Sequence, residues 1–138
     1  MGTMNIFIDS NILIFANLGD SPEYPIVRSI IHDYVENDAR FIINSIIVSE
    51  VHYKLRKFLG SEESEKRMIK ILNSSHITYL PIDNSTILRA IGLSNRQNVM
   101  TNDAIIGQHA LDVESDGILT DNYRDFKKIP ELHVIGIC

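Results

Sequence analysis

Asn5-Ile6-Phe7-Ile8-Asp9-Ser10-Asn11-Ile12-Leu13-Ile14-Phe15-Ala16 holds two structural elements and the group that joins them. Residues 4–8 are rich in Ile and Phe and only loosely alternating, as expected of a short buried strand. Asp9, Ser10 and Asn11 are helix-capping residue types, and the apolar run Ile12–Ala16 behind them predicts a short helix that starts as soon as the strand ends. A strand that passes straight into a helix through an acidic residue is the unit of an α/β fold.

The same alternation continues along the chain. Val27, Ile30, Ile31, Tyr34 and Val35 recur at helical spacing and mark one face of a helix. Phe41-Ile42-Ile43 predicts a second strand. Asn44 or Ser45 then caps a helix carrying Ile47, Val48, Val51, Leu55 and Phe58, and Gly60 ends it. The acids of Ser61-Glu62-Glu63-Ser64-Glu65 suit the start of a further helix. Ile77 to Leu80 reads as a third strand stopped by Pro81, and Asp83 to Leu93 as a helix. Ser94 to Met100 is polar and expected to be a loop, and Asn102 to Val113 a helix. Ile118-Leu119 and Leu132–Ile135 complete the strands, with one helical turn near Arg124–Lys128. Strands alternating with helices predict a three-layer α/β/α arrangement with a mostly parallel central sheet of about five strands. With no internal repeat or linker composition, residues 1–138 are expected to form one domain.

Composition narrows the function classes. Apolar residues make up 44% and charged residues 22%, which excludes a disordered or fibrous chain. No apolar run approaches the ~20 residues that span a bilayer. Cys138 is the sole cysteine, so an internal disulfide is impossible and a cytoplasmic setting is expected. Met1-Gly2-Thr3-Met4 fits neither a signal peptide nor a myristoylation signal, and Met4 is the expected natural start. The net charge of −5 opposes a generic nucleic-acid binder, although Lys54, Arg56, Lys57, Lys66, Arg67 and Lys70 cluster locally. The five histidines, His32, His52, His76, His109 and His133, lack ligand spacing, which argues against zinc.

Four carboxylates then stand out by position. Asp9 and Asp121 end predicted strands, while Glu50 and Asp103 fall in early helical turns after a strand or loop. Each has a plainer role available. Asp9 can cap its helix, Glu50 can pair with Lys54 one turn on, Asp103 can complement a helix dipole, and Asp121 can open a turn. Together they fit a different demand. Ligand sites in open α/β sheets gather at the carboxyl ends of strands, and carboxylates collected there repel one another unless a cation holds them. Mg²⁺ or Mn²⁺ takes such oxygen ligands and orients phosphodiesters for attack by water. Asn11 is placed to orient the metal or the substrate.

With those residues in place, the chain resembles the PIN-domain family, in particular its small single-domain members, the VapC-type toxin ribonucleases. Ile6–Leu13 resembles the opening hydrophobic-D-(S/T)-N-hydrophobic motif. Ser45–Val51 is similar to the helix with S-x-x-x-x-E, Asn102–Leu111 to D-A-(L/I)-I-(A/G)-x-x-A, and Ile118–Phe126 to the strand with T-x-(N/D)-x-x-D-F. Ile129-Pro130-Glu131-Leu132 matches the short V/I-P-x-L before the last strand. The resemblance implies metal-dependent RNA cleavage with Mg²⁺ or Mn²⁺ as cofactor, by a homodimer that an antitoxin protein inhibits. Asp9, Glu50 and Asp103 match three of the family's acids. The fourth is expected at Asp121, with Asp125 as the alternative, because the position two after Thr120 is Asn122 here. Thr120 and Asn11 then become supporting groups.

Two other classes compete. A phosphatase with Asp9 as nucleophile needs an acid two residues on, and position 11 is Asn. A non-catalytic binding module would keep the fold without gathering Asp9, Glu50 and Asp103. An RNA-processing nuclease outside any toxin–antitoxin pair is a further alternative.

Overall fold

The computed structural model describes residues 3–137; the expected extra start at Met1-Gly2 and the terminal Cys138 lie outside the described residues. In chain order the elements are β1 (Asn5–Ile8), α1 (Ser10–Ala16), α2 (Tyr24–Glu36), β2 (Arg40–Ile43), α3 (Ser45–Leu59), α4 (Ser61–Leu72), β3 (Ile77–Tyr79), α5 (Asn84–Gln97), α6 (Thr101–Asp112), β4 (Gly117–Thr120), α7 (Tyr123–Phe126) and β5 (Val134–Gly136). The five strands form one sheet in the order β3-β2-β1-β4-β5, and every neighbouring pair is parallel.

That order follows from burial. Ile6, Phe7 and Ile8 of β1 and all four residues of β4 are buried, so these strands are covered on both faces, as apolar runs in parallel sheets are. The edge strands β3 and β5 are half-buried to exposed. The chain steps outward from β1 through β2 to β3, then returns past β1 to add β4 and β5 on its other side. The reversal falls between β1 and β4, whose carboxyl ends are neighbours (Ile8 pairs with Leu119).

Local chemistry sets the helix ends. Asp9 caps α1, Asn44 caps α3 and Asp83 caps α5, each accepting a backbone N–H with its side chain. Gly60 separates α3 from α4 at φ 86°, a backbone region where a Cβ is strained. Helix α6 is buried nearly all round and packs tightly at Gly107, where a Cβ would collide with Ile129. One expectation needs correction. Residues 94–97 continue α5 rather than forming a loop, because their polar side chains extend a helix already anchored by Ala90 and Leu93. The stop is Asn98, left-handed at φ 54°, whose N–H donates to the Ser94 carbonyl, a helix-terminating geometry that Asn tolerates.

Phe7 lies at the centre of this packing with no exposed surface, edge-on to the His109 ring at 5.2 Å. Phe7→Ala is expected to lower unfolding free energy by about 3–5 kcal/mol, read from the shift in urea midpoint.

Candidate active site

The carboxyl ends of β1 and β4 bring the dispersed acids together. Asp9 follows β1 and is 5% exposed. Its Oδ1 accepts the Ser10 N–H at 2.8 Å while capping α1, and its Oδ2 accepts the Thr120 hydroxyl at 2.7 Å from the end of β4. Thr120 Oγ1 in turn accepts the Asn122 N–H at 2.9 Å. Capping and membership of the acid cluster are therefore one arrangement: the cap fixes one oxygen and leaves the other to the sheet edge.

Glu50 reaches the same place from α3. The Ser10 hydroxyl donates to its Oε1 at 2.8 Å, and the Asn102 amide donates to its Oε2 at 3.2 Å. Ser10 and Asn102, not Lys54, are thus its partners. Asp103 stands in the first turn of α6, and the Asn122 amide spans from its Oδ2 at 3.5 Å to Asp125 Oδ2 at 3.1 Å. Asp121 is exposed and takes the Asn11 amide on both oxygens, at 3.2 and 3.3 Å. A web of hydroxyl and amide donors therefore contacts all five acids.

Electrostatics agree with this geometry. Burial, with the charges of Asp121 and Glu50, pushes Asp9 up to about 6 against the bonds from Thr120 and Ser10. Burial, then the charges of Asp9, Glu50, Asp125 and Asp121, push Asp103 up to about 7. Asp125 goes the other way, held below the usual carboxylate range by the Asn122 amide and by Lys128, whose Nζ is 3.5 Å away. Among the described residues, no three His, Cys, Asp or Glu side chains already converge to wrap an ion. The donor set nonetheless suits a hard divalent cation: carboxylate, amide and hydroxyl oxygens, without thiolate or imidazole.

A buried pair, not anticipated from sequence, fixes the two acid-bearing helices. Asn44 caps α3 with its Oδ1, so its Nδ2 donates to His109 Nδ1 on α6 at 3.0 Å. The imidazole N–H is left for the Pro81 carbonyl, and burial holds the ring below its usual pKa, in the neutral form. Glu50 and Asp103 each lie six residues from this pair along their helices. The Asn102–Glu50 bond adds a second link between α3 and α6. Ser10, Asn102 and the Asn44–His109 pair were missed because capping explains Ser, Asn and Asp beside a helix start equally well.

Beside the cluster, α1 and the later turns of α3 enclose a 540 Å³ groove lined by Ile14, Phe15, Leu18, Lys54, Phe58 and Leu59. Lys54 and Phe58 follow Glu50 at one-turn steps on the same helix. Among the described residues no helix is long and apolar enough to cross a membrane.

The PIN-domain family model matches residues 6–132. No curated protein matches the chain. Among solved structures, a DNA-bound VapBC from Salmonella typhimurium is 22% identical with a TM-score of 0.76, the alignment covering 99% of this chain and 100% of that one. VapBC2 from Rickettsia felis, bound to a promoter DNA fragment, is 20% identical with a TM-score of 0.75, covering 96% and 98%. VapC20 from Mycobacterium tuberculosis, described as a sarcin–ricin loop cleaving toxin, is 12% identical with a TM-score of 0.74, covering 88% and 92%. At these identities the likeness is one of fold.

The raised pKa values of Asp9 and Asp103 tie stability to pH. The folded chain holds these protons more tightly than the unfolded chain, so their contribution is complete below the unfolded value of 3.8. It is lost as pH rises through about 6 and about 7. His109, lowered by burial, slopes the opposite way, so the comparison with a variant isolates the acids. In chelator, Asp103→Asn is expected to melt above wild type, the gap widening by several degrees from about pH 5 to about pH 8. Parallel melting curves across that range would refute the assignment.

Proposed function

The chain belongs to the PIN-domain family, and on that premise we propose that it is a metal-dependent endoribonuclease, the toxin of a toxin–antitoxin pair. The observation that carries this reading is the approach of Asp9, Glu50 and Asp103 from three separate elements: Ser10 bonds both Asp9 and Glu50, and the charges of both bear on Asp103. A non-catalytic module has no use for that cluster, since charge repulsion and burial disfavour it unless a ligand compensates. The toxins among the structural neighbours, one described as cleaving the sarcin–ricin loop, support RNA as substrate.

Asp9, Glu50, Asp103 and Asp121 are assigned as ligands of Mg²⁺ or Mn²⁺. An ion held there would supply polarisation of a phosphoryl oxygen and a lowered pKa for the attacking water. The chain's own part is placement. Thr120 and the Ser10 N–H hold Asp9 in one rotamer, Ser10 and Asn102 hold Glu50, and Asn11 holds Asp121. Asp121 is preferred to Asp125 as the fourth ligand because its charge bears on both Asp9 and Asp103, whereas Asp125 is paired with Lys128.

The antitoxin is assigned to the groove between α1 and α3. Its apolar lining suits a partner's hydrophobic side chains, and it abuts the elements bearing Asp9 and Glu50, so an occupant would also hinder the site. The neighbours that are VapBC complexes support such a partner. A homodimer is assigned to the exposed apolar side of α5, where Leu88 is 70% and Ile91 46% exposed.

Cleavage of RNA in Mn²⁺ or Mg²⁺ is expected to stop in chelator and to fall at least about 100-fold in Asp9→Asn and Asp103→Asn, more than loss of a supporting group costs. Thr120→Val, which keeps the shape but loses the donor to Asp9, is expected to cost roughly 10- to 100-fold. Asp121→Asn should cost more than Asp125→Asn. Cleavage that persists in chelator and in both aspartate variants would remove the proposal.

A further inference from the structure

This inference rests on the nuclease reading and concerns how substrate is held. A chain of net charge −5 must recruit a polyanion through local positive charge. The basic residues most conspicuous in the sequence are poorly placed for that. Lys66 and Arg67 pair with Glu62 and Glu63 on α4, and Arg56 and Lys57 sit in the last turn of α3, where they complement the helix dipole. By contrast, Arg124 and Lys127 are exposed and form no ion pair among the described residues. They lie within a few residues of Asp121 and Asn122.

Two exposed apolar side chains lie close in sequence to the acids, Tyr123 after Asn122 and Met100 before Asp103. Tyr123 directly follows Asn122, whose amide joins Asp103 to Asp125. Its ring is seated beside Gly136 of β5, where a Cβ would lie 3.5 Å from Cδ2, yet the residue stays 51% exposed. Lys127 Nζ hovers 5.9 Å from the ring centre, too loosely to shield it. On the other flank, Lys128 donates to the Asn98 carbonyl at 3.5 Å, which draws the α5–α6 connection beside α7. That connection carries Met100, 76% exposed, three residues before Asp103. A lone exposed apolar residue needs no explanation. An aromatic ring, a methionine and two unpaired cations bordering a cluster of acids do.

We propose that Tyr123, Met100, Arg124 and Lys127 form a platform that receives single-stranded RNA next to the carboxylates. An unstacked base lies on the Tyr123 ring with Met100 as its apolar flank, while Arg124 and Lys127 meet the adjoining phosphates. Stacking tolerates any base but requires one free of a duplex, so the platform selects looped or unpaired RNA by structure rather than by sequence.

The test uses the full chain, a short fluorescein-labelled single-stranded RNA and the same strand annealed to its complement. Anisotropy is read in chelator, and cleavage kinetics in Mn²⁺. Tyr123→Ala is expected to weaken single-strand binding and raise KM roughly tenfold, with kcat within about twofold of wild type. Tyr123→Phe should bind like wild type. Arg124→Ala and Lys127→Ala should each flatten the log–log salt dependence by about 0.7, whereas Lys66→Ala should not. The annealed strand should bind Tyr123→Ala and wild type alike. Wild-type binding and KM in a Tyr123→Ala protein with native circular dichroism would overturn the platform and leave the nuclease reading standing. A wild-type chain that neither binds nor cleaves RNA would overturn both.

Discussion

Burying a carboxylate at the end of the central strand is the constraint on which the rest of the molecule turns. Asp9 follows β1, nearly without solvent, beside other acids. A group so placed must be hydrogen-bonded, paired or protonated. The fold satisfies it with the first N–H of α1 and with a hydroxyl from β4. Both donors exist only if the helix begins at once after the strand and β4 lies beside β1. The strand order, with its reversal between those two strands, is therefore also what brings Asp9 its partners.

Much of this architecture was legible in the residues. Each strand is a short apolar run, α3 buries the stripe of Ile47, Val51 and Leu55, and Asp9, Asn44 and Asp83 carry out the capping that their side chains allow. The α5 terminus was not, because a helix that loses its apolar residues on one side looks like a polar loop until Asn98 is seen to turn left-handed. The acids were legible as positions and not as a cluster. Nothing local in Ser10 points to Glu50, forty residues away, and nothing in Asn44 points to His109, sixty-five residues away. Such pairs depend on which faces of two elements meet, and periodicity within one element does not contain that information.

The site is held from outside as much as from within. Asp9 and Asp103 are pushed towards their neutral forms by burial and by neighbouring acids, a tension that costs stability. Against it stand the amide and hydroxyl donors around each oxygen and the buried Asn44–His109 link between α3 and α6. That link uses one side chain twice, Asn44 serving both as the cap of α3 and as a donor to α6. Glu50 and Asp103 therefore rest on helices joined by a contact that neither acid makes.

The bond between Thr120 and Asp9 spans 111 residues of chain. Contacts of such long range are expensive to close in an unfolded polymer and tend to form late. During synthesis the amino-terminal strand and its two flanking helices leave the ribosome long before the strand that completes their edge. A nascent fragment can thus collapse onto its early layers while still lacking the hydroxyl that steadies its first aspartate. Asp9 gains its steadying hydroxyl only once the chain has been made through Thr120.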